Sequence, residues 1–468
     1  MSREMQCLCN LRNGSLALAV LGVLAACAIS APPDRAELAK QALVQTQMPP
    51  SWKFAKTPGE FDTEALGFTL PPELIALIRE AQANNLDLRL AATRVEQSRS
   101  AVTIAGATLL PTVGIGGQAG QSAIPTSSLA VNGLALVANW EIDVWGKTRL
   151  NQASAKEQSL AAELDTLYLR QSISAAVVKA WLTAAELNRQ IQVLQEIIAL
   201  SEKQVVLIQV GQKVGRDTQQ DVVTNQLAVK ANRSQLLQIE QALNSAKRAF
   251  EVLIGRYPAA EIAVAAELPL AAKPIPAGLP SDLAERRPDM KAAESRFRAA
   301  FYNVESARKA KLPSISLVAG LSVVDESLLA LQQGLTNPIA AISGRLLVPL
   351  FTAGALDAQV EIKTAQQQEA TIQYARTLLN ALNEIEGALY ADQNLADRYA
   401  LEMSQFNDQE MIVEFQRVQM KVGKGNLYQL QQQQLTLTAR KLNLLRLQNE
   451  RLIQRVNLHL ALGGIYKV

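Results

Sequence analysis

One histidine, His459, stands in a chain of 468 residues, and that scarcity excludes more than any other feature of the composition. A Ser-His-Asp triad, a zincin helix or a zinc finger needs histidines at set distances, and here there is one. No glycine-rich phosphate loop is present either, so enzymatic function is disfavoured and neither a metal nor a cofactor is expected. Lysine and arginine (46) nearly balance aspartate and glutamate (43) with no basic block, which removes the electrostatic footprint of a nucleic-acid binder. Aromatic residues are only 4%, whereas 49% of the chain is apolar and Ala, Leu, Gln and charged residues dominate, a balance suited to long helices and coiled coils.

Cysteine is almost as scarce. Cys7 and Cys9 lie in a stretch that reads as a secretory signal, with Arg3 and Arg12 ahead of the apolar run Leu16 to Ala26. Such a run is too short to cross a bilayer as a helix. It ends in Leu24-Ala25-Ala26-Cys27, the pattern of a bacterial lipobox. Residues 1–26 are therefore expected to be removed, leaving Cys27 as the lipidated first residue and no second cysteine for an internal disulfide. An ordinary signal peptide beside a chance cysteine is the alternative.

Residues 27–75, with Pro32-Pro33, Pro49-Pro50, Trp52 and Pro58, read as an extended arm that leads into a first helix running through Asn85 to about Ala107. Leu110-Pro111 ends helical character, and Val113, Ile115 and Ala119 alternate with Thr112, Gly114 and Gln118 as a strand. A second strand opens at Gly133, with Leu134, Leu136, Ala138, Trp140 and Ile142 on one side and Asn139, Glu141 and Asp143 on the other. About ten alternating residues suit a tilted transmembrane strand, and equally a half-buried soluble one. No proline lies between Pro125 and Pro258. Thr148 to about Gln209 reads as one helix of roughly 90 Å, carrying the stripe Leu187, Ile191, Leu194, Ile198, Val205, Ile208. Gly211 and Gly215 permit a turn, after which Leu236, Ile239, Leu243, Ala246, Phe250 and Leu253 give the antiparallel partner.

The plan then repeats. Asp87 matches Asp289, Arg94 matches Arg296 and Pro111 matches Pro313, an offset of 202; further on Lys213-Val214-Gly215 matches Lys421-Val422-Gly423 and Gly255 matches Gly463, an offset of 208. The chain is a tandem duplication: repeat 1 over 76–255, a proline-rich linker over 256–285, and repeat 2 over 286–464. The second copy has strands after Pro313 and over about Ala340 to Pro349, then a long helix from near Leu356. That helix turns at Gly423-Lys424-Gly425-Asn426, where glycine and asparagine suit a positive φ.

Two strands per copy make four per chain. Hydrocarbon admits only closed barrels, the smallest of about eight strands, so strands that span a membrane here must be shared among several chains, and three would give twelve. The turns Lys213–Asp217 and Val422–Asn426 lie furthest along the chain from the strands.

On these segments the sequence resembles the TolC-like outer-membrane efflux family, in its NodT-type lipoprotein branch. The resemblance is carried by Leu24-Ala25-Ala26-Cys27, Pro49-Pro50-Ser51-Trp52, Gly278-Leu279-Pro280-Ser281-Asp282-Leu283 into Arg286-Arg287-Pro288-Asp289, Leu312-Pro313-Ser314-Ile315 and Leu460-Ala461-Leu462-Gly463-Gly464. It implies an α+β membrane protein: a homotrimer with a shared twelve-stranded β-barrel in the outer-membrane lipid and a long periplasmic α-helical coiled-coil barrel. It also implies a passive exit duct served by a periplasmic adaptor and an inner-membrane RND-type pump. Lys213, Gly215, Arg216, Lys421, Gly423 and Lys424 would then be adaptor-contacting tips. Many relatives carry acids just past the second helical turn; here those positions are Gln429 and Gln432, and a position where some carry a gating arginine is Gly425. The first copy holds Asp221 at the matching place, as a mouth carboxylate or a solvated helix-start residue. Ala28 after the lipidated cysteine favours delivery to the outer membrane.

Other readings remain open at this level: a type I secretion duct with the same fold, or a lipid-anchored coiled-coil scaffold without a pore. Pro288 is expected to open a helix with Asp289 in its first turn, and His459 to be packed and hydrogen-bonded. The run Gln429 to Gln434 is expected to form a polar face, and Trp140 and Trp145 to serve as interfacial anchors or as packing under a loop.

Overall fold

The computed structural model describes residues 31–43, 50–55, 66–118, 133–265, 267–269, 276–278, 280, 283–324 and 336–466; Cys27 and the whole signal segment lie outside them. In chain order the helices are α1 (Arg35–Ala42), α2 (Pro72–Asn84), α3 (Leu86–Ala107), α4 (Lys147–Lys213), α5 (Gln219–Leu253), α6 (Leu283–Arg286), α7 (Pro288–Lys309), α8 (Ala355–Lys421) and α9 (Leu427–Ala461). The strands are β1 (Thr112–Gln118), β2 (Gly133–Ile142), β3 (Ser314–Val324) and β4 (Ile339–Leu347).

The duplication is written into these lengths. α3 and α7 each have 22 residues, α4 and α8 each have 67, and α5 and α9 each have 35. The chain nevertheless does not fold as one compact unit per repeat. One unit gathers Met1–Thr46, Thr93–Leu164 and Met290–Thr377; the other gathers Gln47–Ala92, Asp165–Asp289 and Leu378–Val468. Each unit therefore draws on both copies.

The first unit contains the sheet, ordered β1-β2-β3-β4 with every neighbouring pair antiparallel. Residues directly opposite one another share a face, so the register sorts the side chains. One face carries Val113, Ile115, Leu134, Leu136, Ala138, Trp140, Ile142, Ile315, Leu317, Ala319, Leu321, Val323, Ala340, Ile342 and Leu346. The other holds Thr112, Asn139, Glu141, Ser314, Ser316, Ser322, Ser343 and Arg345 among small residues and five aliphatic ones, Val137, Val318, Val324, Ile339 and Leu347. In a soluble sheet the apolar face packs on a core, but here Ile115 is 79% and Ile342 84% exposed. An apolar face of this extent left open, backed by a polar one, is the pattern of a barrel wall between lipid and lumen. Among the described residues no helix is long and apolar enough to cross a membrane. The two tryptophans differ: Trp145 donates to the Pro313 carbonyl at 2.7 Å, whereas Trp140 lies on the apolar face and donates to Leu109 O at 2.9 Å.

The second unit holds a hydrophobic core, where Leu74, Ile78, Val178, Leu182, Phe250, Ile254, Leu452 and Val456 pack together. Several expectations change here. The first helix is broken at Asn85, whose backbone is extended (ψ 129°). Its side-chain oxygen caps the amides of Asp87 (3.0 Å) and Leu88 (3.2 Å), while its amide donates to the Leu253 carbonyl at the end of α5 (2.8 Å). These bonds reward the break more than helix continuation would. The position 202 residues on is Arg287, and it reaches the matching carbonyl, Ala461 O, at 3.1 Å. Arg287 is 2% exposed; it also grips Asp289 through Nε (3.0 Å) and Nη2 (2.6 Å), meets Glu384 at 2.7 Å, and lies over the Tyr168 ring. Burial would lower its pKa, but the two carboxylates outweigh burial and raise it. Pro288 does open α7 with Asp289 in its first turn, as expected.

α4 and α5, α8 and α9 all end in the same way. At Gly215, Gly255, Gly423 and Gly463, each with φ between 74 and 83°, the glycine amide bonds three residues back and the next amide five back, closing a Schellman cap. In the last turn of α5, buried Glu251 accepts from the amides of Ala260, Glu261 and Ile262 at 2.6–2.9 Å. The equivalent residue in the last turn of α9 is His459, fully buried, with Nε2 3.4 Å from Ile465 O and its ring edge-on to Tyr466. It is the packed, hydrogen-bonded histidine expected.

The remaining differences are local. α4 continues past Gln209 because Gly211 stays helical, leaving room for the Asp217 carboxylate that folds over it; only Gly215 turns. β1 spans seven described residues, and β4 stops before Pro349, which has no N–H for a ladder. The arm contains α1, because Asp34 caps Glu37 N at 2.8 Å and Arg35 pairs with Glu294 at 2.7 Å. The linker contributes the short α6.

The face assignment has a direct test. Ile342→Arg should destabilise the assembled barrel by about 2–4 kcal/mol, the range for a cation at the bilayer midplane, whereas Ser343→Arg should be near neutral. Unfolding midpoints in detergent or bilayer read the difference, and equal losses at both positions would sink the assignment.

Candidate functional site: the hairpin tips

Both helical hairpins end in the second unit. At the first tip Lys213 closes α4, Gly215 takes φ +77°, and Arg216 projects with Asp217 3.4 Å from its guanidinium. Thr218 then caps α5. Its hydroxyl accepts from Asp221 N (3.2 Å), and the Asp221 carboxylate accepts from Thr218 N (2.8 Å) and its hydroxyl (2.6 Å), a reciprocal capping box. These bonds hold the Asp221 carboxyl below its ordinary pKa, with desolvation a lesser opposing effect. Asp221 is thus a helix-start carboxylate tied to its own turn.

At the second tip Lys421 closes α8, Gly423 takes φ +74°, and Lys424 bonds back to Gln419 O at 2.9 Å. Gly425 lies so close to the preceding turn that a methyl group would sit 2.6 Å from the Met420 nitrogen, so an arginine there requires the turn to shift. Asn426 does not adopt the expected positive φ. It is extended at −109° and caps α9 by accepting from Tyr428 N at 2.8 Å. Gln429 stands where Asp221 stands in the first copy, and both Gln429 and Gln432 are exposed. Three residues apart, they share a face of α9.

The glutamine run is not a single polar face. At about 100° per residue six consecutive side chains circle a helix. Gln431 and Gln434 are buried, Gln434 bonds the Gln204 amide, and Gln433 accepts from Gln409 through its carbonyl (3.1 Å) and side chain (2.8 Å). With Ser201, Thr438 and Asn225 also buried, amides and hydroxyls interrupt the apolar packing of Ile208, Val222, Val413 and Leu430 behind the tips. Ser201 breaks the 3/4 stripe of α4 in the sequence itself, but the polar contacts behind the tips are not legible there, because Gln204 and its partner Gln434 lie 230 residues apart. Among the described residues no group of His, Cys, Asp and Glu could hold a metal ion.

The two caps differ in one testable respect. Asp221 has a folded pKa below its unfolded one, so its stabilisation is present above the ordinary carboxylate pKa and fades as pH falls through the lowered value. Asn426 has no proton to gain. Hydrogen exchange at the start of α5, corrected for intrinsic rates, should accelerate in acid by several-fold relative to the start of α9, and Thr218→Ala should remove the difference. Parallel pH responses at the two caps would contradict it.

Known proteins share this arrangement. A family model described as outer membrane efflux protein matches residues 77–256 and 279–464, one segment over each repeat. The pyoverdine export outer membrane protein OpmQ of Pseudomonas putida is 30% identical over 423 residues, covering 84% of this chain and 86% of that one. The cation efflux system protein CusC of Escherichia coli is 25% identical over 406 residues, covering 85% and 88%. Among solved structures, the open-state MtrE outer membrane channel of Neisseria gonorrhoeae superposes with a TM-score of 0.80 at 22% identity, covering 90% of this chain and 97% of that one. The outer membrane protein VceC of Vibrio cholerae gives 0.75 at 25% identity, covering 84% and 97%. A likeness that runs through both repeats and nearly the full length of each relative has one consequence: the chain belongs to the outer membrane efflux protein family.

Proposed function

We propose that this outer-membrane efflux channel works as a homotrimer forming the exit duct of a tripartite system, fed by a periplasmic adaptor and an inner-membrane RND-type pump. The observation that carries the reading is the sheet with one exposed apolar face and a polar face behind it, joined to helical hairpins whose α4 and α8 each run roughly 100 Å. Relatives named for pyoverdine, cations and toluene share this architecture, which fits a duct indifferent to cargo, with selection made by the pump. The family is one of ducts, and at the tips Thr218, Asp221 and Asn426 serve as helix caps. A lipid on Cys27 would add an anchor to the barrel; mass spectrometry of the mature N-terminus reads it.

The tips are the adaptor-facing end in this reading. Lys213, Gly215, Arg216, Lys421, Gly423 and Lys424 border the two turns, and cysteines at Arg216 or Lys424 should crosslink to the adaptor in cells. Crosslinks confined to residues 256–285 would point to a different docking mode.

The gate is the second part of the proposal. Gln429 and Gln432, exposed on one face of α9, form the narrow mouth by amide hydrogen bonds, without charge. Asp221 is occupied by Thr218 in its capping box. A mouth without a carboxylate ring lacks a site for multivalent cations and a group that titrates near pH 4–5. Single-channel recordings should show weak block by trivalent cations and little pH dependence, and Gln432→Asp should introduce both. Tight, pH-dependent block of the unsubstituted channel would overturn this assignment and place an acid such as Asp221 at the mouth.

A further inference from the structure

Charge is nearly absent from the strands, and the register places what there is. β1 and β3 carry no charged residue; β2 has Glu141 and β4 has Arg345. Both belong to the face that looks away from Ile115 and Ile342, and both stand at one level of it: Glu141 is opposite Ser316, and Ser316 is opposite Arg345. That level lies two residues from the end of β4, on the side where the chain continues into α8. Arg345 is exposed.

The two charges do not cancel. β3 separates them by two strand spacings, about 10 Å, and Glu141 is already held by Lys147, whose ammonium is 2.6 Å from its carboxylate. The acids at the adjoining helix ends are taken as well: Asp143 pairs with Arg149 (3.1 Å), Glu305 with Arg308 (2.7 Å) and Asp357 with Lys311. Among the described residues no carboxylate pairs with Arg345. In the trimeric barrel the strand beside β4 is β1 of another copy, and β1 offers no acid. The segment 119–132 has no charged residue, and the first acid after β3 is Asp325. It follows Val324, which stands eight residues or about 27 Å along the strand from Ser316, well beyond a screening length of about 8 Å. Each copy therefore brings Glu141, Lys147 and Arg345 to this level, one net positive charge.

We propose that Arg345 forms a ring of uncompensated guanidinium groups in the barrel lumen, one from each copy, and that this ring biases conduction toward anions. Neighbouring members are four strand spacings apart, about 19 Å around the wall. A screening length of about 8–10 Å reaches half of that, so their fields meet around the circumference. A low-dielectric wall concentrates such a field in the pore, and rings of arginine or lysine line anion pathways for this reason. The bias acts on charge, favouring chloride, phosphate and carboxylates over cations, and leaves the choice of cargo to the pump. It rests on the trimeric-duct reading above and adds the residue that sets the ionic preference of that duct.

The full-length channel in planar bilayers under a KCl gradient tests it, because the reversal potential gives the chloride-to-potassium permeability ratio. Arg345→Gln should lower that ratio several-fold, and Arg345→Lys, which keeps the charge, should preserve it. Ser316→Glu sets a carboxylate directly opposite Arg345 and should lower the ratio in the same way with the arginine in place. That second variant keeps the assignment testable if Arg345→Gln fails to fold. A ratio unmoved by Arg345→Gln or by Ser316→Glu, or one lost equally in Arg345→Lys, overturns the charge ring and leaves the duct standing. An assembled, membrane-inserted chain that passes no current overturns the duct and the ring together.

Discussion

Hydrocarbon offers no hydrogen-bond partner to a peptide group, and that constraint governs the rest of this molecule. A sheet of four strands with one apolar face belongs in lipid, yet among the described residues no strand pairs with the outer edges of β1 and β4. The fold resolves this only by association. The exposure of Ile115, Ile342 and Ile104, which would count as faults in a soluble monomer, becomes intelligible as surface awaiting lipid or a second copy.

The same economy shapes the helical part. Two copies of one plan keep the geometry of their junctions while changing the chemistry that secures them. Asn85 and Arg287 both interrupt a helix and hold the last carbonyl of a returning one, but the first does so with a neutral amide and the second with a buried guanidinium between two carboxylates. Glu251 and His459 likewise occupy one place. Desolvation raises the Glu251 pKa, and three backbone amides with help from Arg256 more than reverse that, leaving a carboxylate below its usual range.

Packing changes character along the hairpins. Toward the junction Phe250, Ile254, Leu452 and Val456 form an apolar core. Toward the tips buried glutamine, asparagine, serine and threonine sit among Ile208, Val222, Val413 and Leu430, and Gln431 Nε2 and Asn225 Oδ1 are buried without a hydrogen-bond partner among the described residues. A buried amide left unsatisfied costs about 1–3 kcal/mol, and Gln171 and Asn449, close in sequence to the core residues Ile173 and Leu452, carry such atoms as well.

Periodicity and duplication settled much of this in advance. Apolar alternation located the strands, 3/4 spacing and missing prolines located the long helices, and the offsets of 202 and 208 gave the repeat, because each is a local or self-referential property of the chain. The capping chemistry of Gly215, Gly423 and Pro288 was legible for the same reason. Other features depended on residues far apart in sequence. Asn85 breaks its helix because Leu253 O, 168 residues on, lies within reach. Gln431 and Gln434 turn inward while Gln429 and Gln432 stay out, since a helix sends neighbours in different directions and only its partners decide which direction is buried. The sheet faces show the division most plainly. Alternation states that two faces exist; only the register across four strands shows that Ile115, Leu136, Leu321 and Ile342 fall on one of them and Asn139, Glu141, Ser316 and Arg345 on the other.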